Sequence, residues 1–339
     1  MVDIETLVPA GPLEGFLDRA LPDTRGALVR IRKIGAGRSN LTFEVRRGDR
    51  RMVLRRPPMG DLPQTAHDMM REHRVLDALA ESSVRAPRPL VACADESIIG
   101  VPFYLMEQVD GEVIRERIPS SFDTAARTRI GHEMVDALAE LHLCDYHAVG
   151  LGDFGKPEGY TARQVKRWAG QWEVMATREI DDIEEVREWL HANVPTDSPH
   201  SIVHGDYRLD NVVFAGPPDV RLVSILDWEM STLGDPLADL GYLLLFWPEA
   251  GERQIAGLEQ PTSEPGFPTR SELLDRYERA TGFDVGNVSF YRTLAMWKLA
   301  ILTEGLYKRY LAGKADSDWF AILETAVPEM AATARSWCG

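Results

Sequence analysis

His204-Gly205-Asp206-Tyr207-Arg208-Leu209-Asp210-Asn211 is followed, sixteen residues after Asn211, by Asp227 at the end of the apolar run Val223-Ser224-Ile225-Leu226. The pieces SIVHGD, NVVFAG and VRLVSILDWE around it alternate like short strands separated by turns. The hairpin they form brings Asp206, Asn211 and Asp227 towards one end of a small sheet. Asp206 supplies a carboxylate able to orient and deprotonate a hydroxyl, and Asn211 and Asp227 supply the oxygen donors that magnesium prefers. A base, then two metal ligands, in H-x-D-x-x-x-x-N order with a strand-end Asp behind it, is the arrangement that phosphoryl transfer requires. A turn rich in Asp and Asn explains the octapeptide taken alone, but not both signals in sequence. His204 reads as a residue that braces the loop by hydrogen bonding, since Asp206 is better placed to be the base.

Other stretches imitate chemical motifs and fail on order or context. Asp153-Phe154-Gly155 lies about fifty residues before the loop, where a metal-binding Asp should follow it, and reads as a turn. Gly150 to Pro157 nearly spells a phosphate-binding loop, but Pro157 has no hydroxyl for magnesium and no strand precedes it. His142, Cys144 and His147 lack a second ligand pair at metal-site spacing, which leaves them structural roles.

Upstream, LVRIRKIG, LTFEVRRG, RRMVLRR, RPLVACAD and VPFYLMEQV predict five strands over residues 28–109, interrupted by a helix from roughly Ala66 to Glu81. Between the first two strands, Gly35, Gly37 and Ser39 would let backbone amides approach triphosphate oxygens. Strand alternation puts Val53 and Arg55 on one face, Val53 against a base and Arg55 towards the phosphates, with Glu72 able to pair with Arg55. Arg56 takes that role if the register is shifted by one, and otherwise turns away, so that its loss should be mild.

From about Phe122 the texture becomes helical, over TAARTRIGHEMVDALAELHLC, ARQVKRWAGQWEVMA, DDIEEVREWLHANV and later Leu237–Trp247, Thr269–Ala280 and Val288–Leu311. The expected division is 1–108 as a nucleotide-binding lobe and 109–339 as a helical lobe carrying the catalytic loop and substrate site, with 109–111 as a hinge. With 53 acidic against 38 basic residues the net charge is −15, which argues against nucleic acid or an anionic membrane as partner. Three scattered cysteines and an acidic start without an apolar run fit a reducing cytoplasm.

GAGRSNLTF, VLRRPP, REHRVLDAL, PFYLMEQVDG, HGDYRLDN, ILDWEMSTLGDPLADLG and WKLAILTEGLYKRY together resemble the aminoglycoside phosphotransferase-like kinases. The resemblance spans roughly residues 28–311 and is to the branch that includes kinase-like domains fused to some acyl-CoA dehydrogenases. It implies an α+β, bilobal protein-kinase-like fold: an N-lobe antiparallel sheet plus helix, a mainly helical C-lobe, and nucleotide in the interlobe cleft. It further implies ATP, with GTP left open, and Mg2+ as cofactors; Asp206 as base, Asn211 and Asp227 on magnesium, and Met106 as gatekeeper. The Glu107 carbonyl and Val109 amide would read the adenine edge, and Asp239 would brace the loops. Arg55 stands where protein kinases and well-known aminoglycoside kinases hold Lys, replacing a point charge by a fork. The expected activity is transfer of a γ-phosphoryl group to the hydroxyl of a small substrate, a hydroxy acid or hydroxyacyl-CoA in preference to an aminoglycoside. Lys298, Tyr307 and Arg309 are anchors for an anionic substrate or else a solvated basic face. The rival class is a nucleotide-binding module without turnover, which the presence of base, metal ligands and phosphate-binding cation disfavours.

Overall fold

A computed structural model describes residues 3–35, 40–59, 67–196, 198–252, 254–255, 257–258, 260–314 and 317–338. The chain divides into two compact units, residues 1–110 with 223–231, and residues 111–222 with 232–339. The segment that carries Asp227 thus groups with the first unit, although by sequence it lies inside the helical part.

The first unit opens with two helices, α1 (Ile4–Leu7) and α2 (Ala10–Ala20). Gly11, Pro12 and Gly15 weaken the helical signal of α2 in sequence, yet Leu13 and Leu17, one turn apart, are fully buried. The antiparallel sheet follows: β1 (Val29–Ile34), β2 (Leu41–Arg47) and β3 (Arg50–Arg56), then α3 (Met69–Leu79), β4 (Pro89–Cys93) and β5 (Phe103–Glu107), in the order β1-β2-β3-β5-β4. All five expected strands form. Phe43, Val45, Met52, Leu54, Phe103 and Leu105 pack on one face with Leu7, Val8, Leu13 and Leu17. Each fully buried leucine there contributes about 2 kcal/mol at most.

Because successive strand residues point to opposite faces, Val53 and Arg55 lie on the other side, with α3. That helix starts at an Asp68 cap, whose carboxylate accepts the Arg71 amide at 2.9 Å, and it buries Met69, Glu72, Val75, Leu76 and Leu79. A carboxylate thus occupies a core position of α3.

Arg56 corrects the sequence expectation. It does turn away from Arg55, but not to solvent: it is 2% exposed, and its guanidinium donates to the Leu7 carbonyl, to the Ile99 carbonyl at 3.4 Å and to the Pro57 carbonyl at 3.0 Å. The N-terminal helices cover that face, and the cation satisfies the Leu7 carbonyl oxygen at the end of α1.

The second unit is built on α4 (Thr124–His142), capped by Asp123, and on α5 (Tyr160–Met175) and α6 (Asp181–Ala192). Next come β6 (Ser201–Val203), β7 (Val212–Ala215) and β8 (Arg221–Ile225), whose last residues pass into the first unit. β9 (Thr232–Gly234) pairs antiparallel with β6, Val203 opposite Thr232. Then follow α7 (Leu237–Leu245), α8 (Arg270–Thr281), which begins in a capping box of Thr269 and Glu272, α9 (Val288–Leu311) and α10 (Leu323–Ser336). α7 lies so close to α9 that a Cβ on Gly241 would sit 2.5 Å from the Tyr291 Cβ. No helix among the described residues is long and apolar enough to cross a membrane.

Candidate active site

In the first unit the polar face of the sheet gathers Arg55 from β3, Glu72 from α3 and Asp227. The Arg55 Nη2 donates to Asp227 Oδ1 at 2.8 Å, and its Nε lies 3.3 Å from Glu72 Oε1. This last contact is an ion pair without hydrogen-bond geometry, so Arg55 Nε and both Glu72 oxygens are buried without a hydrogen bond. Burial pushes the Glu72 carboxyl up to about 7, although Arg55 pulls it back. Burial also works against the Arg55 charge, but Glu72, Tyr104 and Asp227 override it and hold the guanidinium more firmly protonated than usual. Tyr104, register partner of Arg55 on β5, is buried beside Glu72, and its hydroxyl is driven well above its ordinary range by burial and then by that carboxylate.

Asp227 has φ 65, a left-handed conformation that costs a non-glycine residue about 1 kcal/mol or more. The turn leaves its side chain 33% exposed. Two residues on, Glu229 accepts the Asn40 amide at 2.7 Å, and the Asn40 oxygen meets His67 Nδ1 at 2.9 Å. Neither Asn40 nor Glu229 stood out in the sequence. Val53 and Met106 are register partners on adjacent strands, both buried. Beyond β5, no hydrogen bond takes up the Val109 amide among the described residues, while the Glu107 amide is spent on the Arg88 carbonyl at 2.9 Å. Gly35 has φ 77, open to glycine at no steric cost. Gly37 and Ser39 lie outside the described residues.

The second unit holds the loop His204–Asn211. It leaves β6 at Val203 and turns at Gly205, φ 87. Asp239, in the first turn of α7 and buried, accepts the amides of His204 at 2.6 Å and Gly205 at 2.8 Å. Burial would raise its pKa, but hydrogen bonding and charge from His142, with the loop donors, hold it below the usual carboxylate range. His142 Nε2 lies 3.4 Å from Asp239 Oδ2 and its Nδ1 is 2.6 Å from the Tyr277 hydroxyl. The phenol proton donated to Nδ1 leaves the Nε2 proton facing Asp239. His142 and Tyr277 therefore stand behind the loop brace, His142 separated from Asp239 by 97 residues of sequence and Tyr277 from His142 by 135, which is why no local motif revealed them.

Asp206 itself is 31% exposed. Asn211 Nδ2 donates to the Asp206 backbone oxygen at 2.9 Å and to its Oδ2 at 2.7 Å. The carboxamide is thereby oriented with its oxygen away from Asp206, and no hydrogen bond among the described residues takes up that oxygen. His204 is fully buried and its Nδ1 accepts the Asp206 amide at 3.3 Å. Arg208 bridges Asp210 at 2.7 Å and Asp206 at 3.6 Å. The Tyr207 hydroxyl anchors the loop to the Met134 carbonyl at 2.7 Å.

Of the three expected substrate anchors, Lys298 lines a small pocket with Gly205, Asp239 and Tyr242. Tyr307 and Arg309 lie about 13 Å or more along the same helix. The Tyr307 ring is buried under Arg178, 4.9 Å from its centroid, and Arg309 is exposed on the last turn. The decoy Asp153-Phe154-Gly155 is a turn whose Gly155 packs on β9, where a Cβ would fall 2.8 Å from the Leu233 amide. In the HLCDYH stretch His142 serves Asp239, and the His147 ring rests on Tyr146 at 4.4 Å.

Residues 30–281 match the family described as "Phosphotransferase enzyme family". The chain belongs to that family. Rattus norvegicus acyl-CoA dehydrogenase family member 11 is 37% identical to this phosphotransferase-family chain over 325 residues, 93% of this chain but 42% of the relative. The chain thus spans less than half the length of the first curated relatives it matches. Homoserine kinase of Methylocella silvestris is 29% identical over 183 residues, 51% of each protein. Among solved structures, a candidate aminoglycoside phosphotransferase from Ralstonia eutropha JMP134 superposes with a TM-score of 0.83 at 34% identity, covering 96% of this chain and 97% of that one. Choline kinase from Cryptosporidium parvum shares the kinase-like fold alone, with a TM-score of 0.65 at 13% identity over 96% of this chain and 94% of that one. The fold class read from the sequence, and the family branch, are both as expected.

Proposed function

We propose that the chain is an ATP- and magnesium-dependent small-molecule kinase that transfers the γ-phosphoryl group to a substrate hydroxyl. The observation that carries the reading is the Asn211 carboxamide fixed on Asp206, which leaves a partly exposed base beside a metal-type oxygen donor. Asp206 accepts the hydroxyl proton as the acceptor attacks, and its position is set by Asp239 through the loop backbone.

The donor set fits the cofactors. Asn211 and Asp227 offer hard oxygens for Mg2+, and Arg55, with a buried Nε lacking a hydrogen bond, suits the α- and β-phosphates of ATP. When bound, the metal and nucleotide supply the transferable phosphoryl group and neutralise its developing charge. Val53 and Met106 form the apolar wall for the base, with the Val109 amide and Glu107 carbonyl on its edge. Gly35, Gly37 and Ser39 serve the phosphates, Glu72 holds Arg55, and residues 1–108 and 109–339 act as the nucleotide and catalytic portions. We place the protein in the cytoplasm.

For the acceptor, a hydroxy acid or its CoA thioester is preferred, in keeping with the acyl-CoA dehydrogenase relatives and with homoserine kinase. Aminoglycoside O-phosphorylation is the second reading, supported by the Ralstonia structure. The test is purified protein with ATP and magnesium against hydroxylated metabolites beside aminoglycosides, read by phosphorylated product. Tight Mg-ATP binding without product from any acceptor would instead favour a non-catalytic module.

A further inference from the structure

Lys298 lies beside the loop that carries Asp206. It sits on α9, partly buried, and lines a small pocket of about 10 Å³, room for about one water, together with Gly205 of the catalytic loop, Asp239, Tyr160 and Tyr242. Its ammonium makes no hydrogen bond or ion pair among the described residues. It lies over the Trp168 ring, 5.5 Å from the centroid. In a chain with fifteen more acidic than basic side chains, an ammonium held this way is costly, because a buried charge is ordinarily paired. Half-buried Arg178 meets Glu304 at 3.1 Å and buried Arg270 meets Glu252 in the same unit. The indole N–H of Trp168, whose ring faces the ammonium, is buried without a hydrogen-bond acceptor.

We propose that Lys298 is the specificity-determining residue for the acceptor, seating an anionic group of the substrate, a carboxylate in the first place, while the substrate hydroxyl is presented to Asp206. This rests on the phosphoryl-transfer reading and deepens it. Asp206 and Asp239 keep the ammonium charged at long range, whereas burial, the largest influence, and Arg167 push Lys298 down to about 8, so the side chain still carries its charge at neutral pH. An arriving carboxylate restores the missing partner. A polycation such as an aminoglycoside would bring more positive charge against it.

The test is calorimetry on the full chain at pH 7 with magnesium and ADP. Hydroxycarboxylates of three to six carbons, the matching neutral hydroxyamides and kanamycin are titrated into wild type, Lys298→Met and Lys298→Arg, with product assays using ATP in parallel. Wild type should bind at least one hydroxycarboxylate ten- to a hundredfold more tightly than its amide, as expected for a desolvated charge pair. Lys298→Met should lose that preference and Lys298→Arg keep part of it. The Met variant should melt no lower than wild type, because a buried charge without a partner has been removed; this separates lost recognition from lost folding. Equal carboxylate affinity in wild type and Lys298→Met would overturn the proposal, as would the absence of any carboxylate preference in wild type. Transfer to kanamycin alone would sink it while sparing the kinase chemistry. Lys298-dependent carboxylate binding with no phosphorylated product would sink the kinase reading and leave Lys298 as an anion site.

Discussion

Arg55, Glu72 and Asp227 in the first unit hold one another by their charged ends, whereas Asp239 in the second unit holds two backbone amides and is itself held by His142. The first arrangement leaves a guanidinium nitrogen and two carboxylate oxygens without hydrogen bonds inside the protein. The second satisfies its donors. Side-chain ion pairs can be exchanged when phosphate arrives; a loop pinned through its backbone cannot easily move. Under the proposed function, the contrast would give adaptation to nucleotide binding and fixed geometry to the chemical step, where preorganisation matters most.

The sharpest way to break this comparison is Asp239→Ala. It leaves the His204 and Gly205 amides buried and unpaired, and we expect a loss of about 3–5 kcal/mol by urea denaturation together with a collapse of kcat. A folded, active Asp239→Ala protein would show that the loop is held by something else.

Next come the neighbours Arg55 and Arg56, which should separate cleanly. Arg55→Ala should raise the KM for ATP about ten- to a hundredfold, with Arg55→Lys intermediate. Arg56→Ala should cost about 1–3 kcal/mol of stability, because the Leu7 and Ile99 carbonyls lose their donor. A nucleotide defect confined to Arg56→Ala would reverse their roles.

Glu72 tests the strain in the first cluster by pH. Its folded-state carboxyl sits at about 7 against an ordinary 4.5, so the folded protein binds this proton more tightly than the unfolded chain does. Its contribution to stability is therefore fully present below about 4.5 and is lost as pH rises to about 7. Without nucleotide, Glu72→Gln should flatten the stability profile across that window while raising the KM for ATP. An unchanged profile would mean that burial does not govern this group.

The smallest effect is expected at the far end of the second network. Tyr277→Phe removes the hydroxyl that fixes the His142 tautomer and should cost about 0.5–1.5 kcal/mol, with kcat reduced and KM for ATP unmoved. A shift in KM alone would place Tyr277 outside the loop brace.

Patterns of period two and 3.6 made the five strands, α3 and the helices from α4 to α9 legible, because each buries a face whose spacing is local in sequence. α2 was not, since two glycines and a proline mask a helix that only tertiary burial of Leu13 and Leu17 sustains. α10 hid behind Pro328, and β9 is three residues whose pairing with β6 is the only signal. Asp206, Asn211 and Asp227, the centre of the proposed site, were singled out by order and spacing. The supports were not: His142, Tyr277, Asn40 and Glu229 act through contacts distant in sequence, and nothing local to Arg56 announces the helices that cover it.

The central claim is that Asp206 is the base on a fixed loop, acting on nucleotide held by separate groups. It is tested most directly by Asp206→Asn, with phosphoryl transfer and Mg-ATP binding measured on the same preparation. We expect kcat to fall about 10²–10⁴-fold while calorimetric affinity for Mg-ATP stays within a few-fold of wild type. Near-normal turnover in Asp206→Asn, or a loss explained wholly by failed nucleotide binding, would contradict the account.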